Sequence, residues 1–196
     1  MGDGGCGRCA LRPGEVRIIG GQWKRSKLSV PDLPGLRPTP DRVRETLFNW
    51  LGAELEGWVC VDVFAGTGVL GLECASRGAQ RVHLFETQAK LCENMSRMVE
   101  KFHASQVQVK KGDGVSALRV MPSQSVDLVL IDPPFELDLW SSALSASVGP
   151  LKPLGLIYLE SPKPWDNEAL LGLGLEIYKT MKAGTVHAHL IVKKSS

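Results

Sequence analysis

The sequence predicts an α/β protein whose core is a doubly wound, mostly parallel β-sheet. Two observations predict this class. From Trp58 onwards, short apolar runs typical of buried strands alternate with amphipathic stretches typical of helices. Such alternation implies parallel strands joined by right-handed crossovers. Near the end, the strand-like segments Leu175–Met181 and Val186–Val192 flank a short turn that contains Gly184, which predicts a closing antiparallel hairpin.

Local patterns predict the individual elements. In the N-terminal part, a short strand is expected at Val16–Ile19. A helix is expected to begin with Thr39 as N-cap and Pro40 at its first position, and to run to about Ala53. Further strands are predicted over 58–64, 81–86, 107–110, 126–131 and 154–160, and further helices over 69–77, 88–102 and 138–148.

Length and composition fit one main domain with a small extension. The 196 residues carry a net charge of +2, with 43% hydrophobic and 22% charged residues, which is ordinary for a soluble globular protein. We expect a disordered tail over 1–14, a short basic extension with one helix over 15–54, and the main domain over 55–196. Nothing visible demands a dimer, so a monomer is expected.

The sequence also indicates a cellular compartment. No apolar run reaches the ~18 residues of a membrane span, and residues 1–10 lack the apolar centre of a signal peptide. Five cysteines without such a signal favour reduced thiols. We therefore expect a cytoplasmic protein with no membrane contact. Cys6 and Cys9 form a C-x-x-C pair, but no second pair completes a zinc site, so no metal is expected.

Positive charge is concentrated near the N-terminus. Residues 1–50 contain nine Lys+Arg and five Asp+Glu, whereas the remainder contains fourteen and sixteen. This asymmetry suggests a polyanionic partner that contacts one end of the protein.

A glycine-rich loop follows the first strand of the main domain. Gly66, Gly68 and Gly71 satisfy G-x-G-x-x-G, and Glu86 ends the next strand 20 residues beyond Gly66. The glycines let the backbone approach a cofactor closely, and the acid can accept from ribose hydroxyls. The loop alone fits NAD, S-adenosylmethionine, or a tight βα turn without a ligand.

Two acidic residues favour S-adenosylmethionine. Asp62 lies near the end of the strand before the loop, where an anion would repel a pyrophosphate but suit a sulfonium and an ammonium group. Asp113 follows the third strand, between two glycines. Its carboxylate could accept from an adenine amine or act as a turn residue.

The tetrapeptide Asp132-Pro133-Pro134-Phe135 is the most informative motif. It follows the apolar run Val126–Ile131, at the strand end where open α/β sheets bind ligands. The two prolines remove N–H donors, so the loop presents acceptors. A planar base that offers an NH2 group suits such a loop.

The chemistry of an exocyclic amine explains these residue types. Its lone pair is delocalised into the ring, so the nitrogen is a poor nucleophile. If Asp132 and the carbonyl of Pro133 accept its two N–H bonds, the lone pair can point at a sulfonium methyl. The carboxylate then stabilises positive charge that grows on nitrogen. Phe135 can stack on a base that has left its helix.

These motifs resemble known families. Residues 62–68 resemble the first motif of class I S-adenosylmethionine-dependent methyltransferases, and residues 132–135 resemble the amino-methyltransferase motif D/N/S-P-P-Y/F/W. The segment Leu36–Asn49, with Ser76–Ala79, is more specific. It resembles the RsmD family, the bacterial methyltransferases that modify guanine N2 in small-subunit (16S) ribosomal RNA. The similarity spans about residues 16–193.

The resemblance implies a Rossmann-like fold, S-adenosylmethionine as cofactor, and ribosomal RNA in the small subunit or its assembly intermediate as partner. The residues implied in catalysis are Asp132, Pro133, Pro134 and Phe135. Those implied in cofactor binding are Asp62, Phe64, Ala65, Gly66, Thr67, Gly68, Glu86, Asp113 and Gly114. Those implied in RNA contact are Arg17, Lys24, Arg25, Lys27, Arg37, Arg42 and Arg44.

The sequence departs from the family pattern at one point, and three alternative functions remain open. The family usually has Arg-Gly-Arg in the basic loop, where this chain has Lys24-Arg25-Ser26-Lys27, and lysine contacts phosphate with a different geometry. The Asp-Pro-Pro chemistry also permits an adenine-N6 or cytosine-N4 methyltransferase. An NAD-dependent oxidoreductase would need a hydride-transfer site that the sequence does not display. An inactive RNA-binding module would not need the Asp132 loop.

Overall fold

A seven-stranded β-sheet forms the centre of the computed structural model, which describes residues 14–31 and 39–194. Its order is β5-β4-β3-β6-β7-β9-β8, and β1 and β2 form a separate antiparallel pair. The ladders from β5 to β7 are parallel, whereas β9 is antiparallel to β7 and β8. The strands are β1 (Glu15–Arg17), β2 (Lys27–Ser29), β3 (Val59–Asp62), β4 (Arg81–Glu86), β5 (Val107–Lys111), β6 (Val126–Ile131), β7 (Leu151–Ser161), β8 (Leu175–Ala183) and β9 (Val186–Lys193).

Helices cover both faces of this sheet. Within the described ranges they are α1 (Asp41–Leu51), α2 (Val69–Ser76), α3 (Ala89–Lys101), α4 (Gly114–Arg119), α5 (Trp140–Val148) and α6 (Asn167–Leu171). The first three pack on one face and the last three on the other. This is a Rossmann-like, doubly wound fold, so the predicted fold class is confirmed, C-terminal hairpin included. No helix in the described ranges combines the length and apolar character that crossing a membrane requires.

The central strand β6 shows why the sequence adopts this fold. Leu128 and Leu130 point into the core beneath α1–α3, whereas Val129 and Ile131 point into the core beneath α4–α6. All four side chains are fully buried. A strand covered on both faces must be an almost continuous apolar run, which is the pattern that predicted it.

The structure corrects several predicted bounds. Helix α1 begins at Asp41 with Pro40 as N-cap and no capping side chain, so the expectation of Thr39 as N-cap is wrong. Helices α4 and α6 were not predicted, because a helix of five or six residues is too short to show its period. Strand β2 was not predicted either. Residues 1–13 of the expected tail, including Cys6 and Cys9, lie outside the described residues.

The basic extension packs directly against the main domain. Val16, Ile18 and Leu28 are buried in the same core cluster as residues of the large sheet. Trp23 stacks on Phe102 after α3, with ring centroids 5.0 Å apart. Gly21 has φ +70°, and a methyl group there would collide with the backbone of Ser76. The turn over residues 20–26 is therefore held beside the C-terminal ends of α2 and α3, at the amino edge of the parallel sheet, whereas Thr39 reaches Asp132 at the carboxyl edge.

Candidate active site

The candidate site lies where the strand order reverses. Strands β3 and β6 are neighbours in the sheet, and the chain leaves them towards opposite faces. Ligands of doubly wound sheets bind outside the carboxyl ends of the strands at such a point. The glycine loop after β3 and the Asp132 loop after β6 meet here.

The glycine loop is fixed by backbone hydrogen bonds and by tight packing. Ala65 N–H donates to the Phe85 carbonyl at 2.9 Å, which ties the loop to the end of β4. Gly66 and Gly68 have φ values of +52° and +77°, where side chains are strained. A methyl group at Gly68 would contact Met95 Sδ at 2.8 Å. The loop thus presents its backbone, with Thr67 buried and Phe64 packed into the core beneath α4–α6.

Glu86 closes this loop from the neighbouring strand. Its Oε2 accepts from Gly66 N–H at 3.0 Å, and its Oε1 accepts from Gln88 N–H at 2.9 Å. An ionised carboxylate has about four acceptor sites, so capacity remains for ribose hydroxyls. The contact with Gly66 places Glu86 at the glycine loop, where the sequence predicted a cofactor-binding acid.

Asp113 acts as a helix cap. It is the N-cap of α4, and its carboxylate accepts from Val115 N–H at 3.0 Å, Ser116 N–H at 3.3 Å and Ser116 Oγ at 2.6 Å. The hydrogen bond from the Ser116 side chain is the main cause that lowers the pKa of Asp113. Gly114 is required because a methyl group there would collide with the Val63 carbonyl. The sequence analysis left two roles open for Asp113, an acceptor for adenine and a turn residue. This geometry accounts for the role as a turn residue.

The Asp132 loop presents acceptors at the centre of the cleft. Thr39 donates from its hydroxyl to Asp132 Oδ2 at 3.3 Å. Pro134 uses its carbonyl to accept from Leu137 N–H at 3.0 Å, whereas no described residue donates to the carbonyl of Pro133. The ring of Phe135 is 39% exposed and lies 6.0 Å from that of Trp140, so it is free to contact a ligand.

Four carboxylates form a row along this edge of the sheet. Glu86, Asp62, Asp132 and Glu160 belong to β4, β3, the residue after β6, and β7, which are neighbours in that order. Each lies two residues beyond a residue of the core cluster beneath α1–α3, so all four project from one face. Those core residues are Leu84, Cys60, Leu130 and Tyr158.

Burial of this row changes its proton affinities. Burial, followed by the charge of Asp132, raises the pKa of Asp62 to about 7. Burial raises the pKa of Asp132 to about 6, although the hydrogen bond from Thr39 lowers it. Burial and the charge of Asp132 raise the pKa of Glu160 to about 8. No cation of the described residues forms an ion pair with these three acids. The site is therefore rich in acceptors and suits a ligand that brings positive charge and N–H donors.

The predicted RNA-contact residues divide into exposed and engaged cations. Lys24, Arg25 and Arg42 are exposed, with no ion pair to any described residue. Arg17 pairs with Asp41 at 2.8 Å, and Lys27 pairs with Glu15 at 2.9 Å. Arg37 lies outside the described residues.

The expectation that Arg44 contacts RNA is wrong. Its side chain is 0% exposed and is held by Asp41 at 2.7 Å and by Glu73 at 3.5 Å. It also donates to the carbonyls of Thr39 and Arg17. Arg44 therefore supports the segment that carries Thr39, and no phosphate can reach it.

Two functional positions escaped the sequence analysis. Glu73 is fully buried in α2 and accepts from Ile19 N–H at 2.8 Å and Gly20 N–H at 2.7 Å, which anchors the extension. Glu160 is buried beside Asp132 near the end of β7. A signal was available in the sequence for both. Each is a charged residue within an apolar segment, and burial of an acid requires a partner or a function.

Comparisons with known proteins identify the family of this chain. Residues 16–192 match the model of the family "Conserved hypothetical protein 95". The chain is 41% identical over 150 residues to Ribosomal RNA small subunit methyltransferase D of Escherichia coli strain K12, covering 76% of this chain and 75% of that protein. It is 40% identical over 155 residues to the Haemophilus influenzae protein of the same name, covering 76% and 80%.

A solved structure supports the same relationship. The Escherichia coli protein yhhF superimposes with a TM-score of 0.79 at 35% sequence identity, covering 93% of this chain and 100% of that one. The family match over residues 16–192 includes the glycine loop and the Asp132 loop. The chain therefore belongs to the family "Conserved hypothetical protein 95", the RsmD family, as the sequence motifs indicated.

Proposed function

We propose that this protein transfers a methyl group from S-adenosylmethionine to the exocyclic N2 amine of a guanine in small-subunit ribosomal RNA. The observation that carries the proposal is the placement of Asp132. It lies at the switch point beside Asp62, with the acceptor carbonyl of Pro133 next to it. The names of the curated relatives support ribosomal RNA as the substrate class.

One set of residues binds the cofactor and another binds the base. S-adenosylmethionine would supply the activated methyl group. Asp62 offers a buried negative charge to its cationic groups, and Glu86 offers acceptors to its ribose. Asp132 and the Pro133 carbonyl accept the two N–H bonds of the base amine, which directs the nitrogen lone pair at the methyl group. The Asp132 carboxylate then stabilises the positive charge that develops on that nitrogen.

A methyl-transfer assay tests this function. Small-subunit particles from a strain that lacks the enzyme would be incubated with purified protein and radiolabelled S-adenosylmethionine, and the labelled nucleoside would be identified by mass spectrometry. N2-methylguanosine is the expected product. N6-methyladenosine or N4-methylcytidine would instead support the alternative amino-methyltransferases, and the absence of any labelled nucleoside would refute methyl transfer to this RNA.

Cofactor binding is expected to release protons near neutral pH. The pKa of Asp62 is about 7 without ligand, so a fraction of the molecules carries this proton near neutral pH. A cationic ligand beside Asp62 favours the ionised form and lowers that pKa. Calorimetry at pH 7 in phosphate and in Tris buffer should therefore show proton release on binding, which disappears above about pH 9.

Asp62→Asn provides the control for this measurement. The amide cannot release a proton, so the difference in binding enthalpy between the two buffers should shrink. Asp132 and Glu160 face the same cavity and would supply any residual release. An unchanged proton release in Asp62→Asn would contradict the assignment of Asp62 as the partner of the cationic groups.

The exposed cations of the extension are expected to carry part of the RNA affinity. Replacing Lys24 and Arg25 by Gln should weaken binding and reduce the slope of log K against log salt by about 0.7 for each phosphate that the variant no longer neutralises. The double variant Arg119→Gln with Lys194→Gln is the matched control, because these exposed cations lie on other surfaces. Equal slopes for the two double variants would exclude the extension as the RNA contact.

A further inference from the structure

Glu160 is a buried acid that the proposed reaction does not yet use. Its side chain lies near the end of β7, next to Asp132 on the neighbouring strand, and the residue is 2% exposed. Tyr158 donates its hydroxyl hydrogen to Glu160 Oε1 at 2.7 Å. Thr39, which donates to Asp132, lies beside Glu160 as well. Asp132 and Glu160 therefore face the same point of the cleft from adjacent strands.

The contacts of Glu160 do not explain its burial. Glu73, the other fully buried glutamate, is neutralised by Arg44 and Arg77 and accepts from two backbone N–H groups. Glu160 has no cation among the described residues, and its charged neighbour is another acid. A hydroxyl has one proton, and Thr39 donates it to Asp132, while Tyr158 donates to one oxygen of Glu160. An ionised Glu160 therefore keeps acceptor capacity for a donor from a ligand.

Guanine supplies that donor. Its N1–H lies directly beside its N2 amine, so the two groups form one donor edge. Neighbouring strands are about 4.8 Å apart, which allows two carboxylates on adjacent strands to engage adjacent donors of one base. Adenine and 2-aminopurine carry an acceptor at N1 instead, and a lone pair facing a buried carboxylate is repelled.

We infer that Glu160 accepts the N1–H of the target guanine while Asp132 and Pro133 hold its N2 amine, so that Glu160 selects guanine over bases with an unprotonated N1. The inference rests on the proposed function, because it concerns the same base in the same cleft. Glu160 is a specificity-determining residue, and Tyr158 positions its carboxylate. A site that hydrogen-bonds a donor strongly rejects an analogue that lacks it, because the buried acceptor is left without a partner.

A base analogue separates this role from general support of the fold. Small-subunit RNA would be prepared with either guanine or 2-aminopurine at the methylated position and assembled into particles. 2-Aminopurine keeps the amine at position 2 but has an acceptor at N1. The comparison is made at pH 9, where Glu160, with a pKa of about 8, is mostly ionised and cannot donate to an N1 acceptor. The wild-type protein is then expected to prefer guanine in kcat/KM by at least about 100-fold. In Glu160→Gln the amide NH2 replaces one carboxylate oxygen, so the preference should fall by at least about tenfold.

Two further variants make the outcome decisive. Glu168→Gln is the matched control, because Glu168 is exposed on α6, and it should keep the wild-type preference. Glu160→Asp keeps the charge but shortens the side chain, so it should lower kcat/KM for guanine and retain more of the preference than Glu160→Gln. If Glu160→Gln does not fold, a preference in Glu160→Asp that is lower than wild type supports the inference and an unchanged one overturns it.

The same experiment distinguishes the failure of this inference from the failure of the proposed function. If the wild-type protein methylates guanine N2 and Glu160→Gln keeps the full preference over 2-aminopurine, the role of Glu160 is refuted and the reaction stands. If the wild-type protein does not methylate the guanine particles, the proposed function is refuted, and the inference that depends on it falls as well.

Discussion

Replacing Asp132 by Asn is expected to lower kcat for methyl transfer by about 10²–10³-fold, which is the usual cost of removing one group that stabilises developing charge. The amide keeps the size of the side chain and can still accept the hydrogen bond from Thr39. It lacks the negative charge that opposes the positive charge on the base nitrogen. Because Asp62 and Glu86 supply the expected cofactor contacts, the Kd of S-adenosylmethionine should remain nearly unchanged.

The pH dependence provides a second signature of Asp132. Burial raises its pKa to about 6, so the wild-type protein has a neutral and inactive Asp132 at lower pH. The kcat/KM, which reports the ligand-free protein, should therefore decrease as the pH falls through about 6. This decrease should be smaller in Asp132→Asn, where only Asp62 and Glu160 still titrate at the site. Asp138→Asn is the control, since Asp138 is exposed on the same loop. Wild-type kcat in Asp132→Asn would refute the assigned role.

The sequence was sufficient to predict that the glycine loop and the Asp132 loop lie at one edge of the sheet, because its signals are local. The Asp132 motif directly follows an apolar run that has to be a buried strand, and Gly66 and Gly68 occupy positions that need positive φ. A strand end at the switch point of a parallel sheet is a binding position whatever the rest of the chain does. Asp62 and Asp132 could therefore be placed together without coordinates.

Glu160 could not be found in this way, because its role depends on register. Leu130 pairs with Tyr158 across β6 and β7, which brings Glu160 level with Asp132. A shift of one residue would turn the side chain to the opposite face of the sheet. The alignment of β7 with β6 cannot be read from the sequence, because the connection through α5 does not determine it.

The expectation that Arg44 contacts RNA came from the family resemblance, and it is wrong for a related reason. The pattern of α1 by itself does not show that Arg44 is buried. A periodic pattern assumes that a helix is covered on one side only. The extension folds over α1 and brings the carbonyl of Arg17 and the carboxylate of Glu73 to Arg44, from 27 and 29 residues away. Contacts of such separation cannot be read from the period of one helix.

Glu73→Gln is expected to lower the free energy of unfolding by about 1–3 kcal/mol, because it removes one of the two carboxylates that pair with a buried cation. Arg44 is 0% exposed and would retain Asp41 and the carbonyls of Thr39 and Arg17. One end of the amide is also a donor, so it cannot accept from both Ile19 and Gly20 as the carboxylate does. Urea denaturation of the variant and the wild type measures this difference. Glu93→Gln on the exposed surface of α3 should change stability by less than about 0.5 kcal/mol.

A double variant identifies the cause of the destabilisation. If the unpaired charge of Arg44 is responsible, Glu73→Gln combined with Arg44→Met should be more stable than the sum of the single effects predicts. If the effects are additive, the destabilisation comes instead from the backbone hydrogen bonds of Ile19 and Gly20. In the first case the destabilised element is α1 with Thr39, and methyl transfer should suffer through Asp132. In the second it is the turn that carries Lys24 and Arg25, and RNA affinity should fall while the kcat at saturating RNA is preserved.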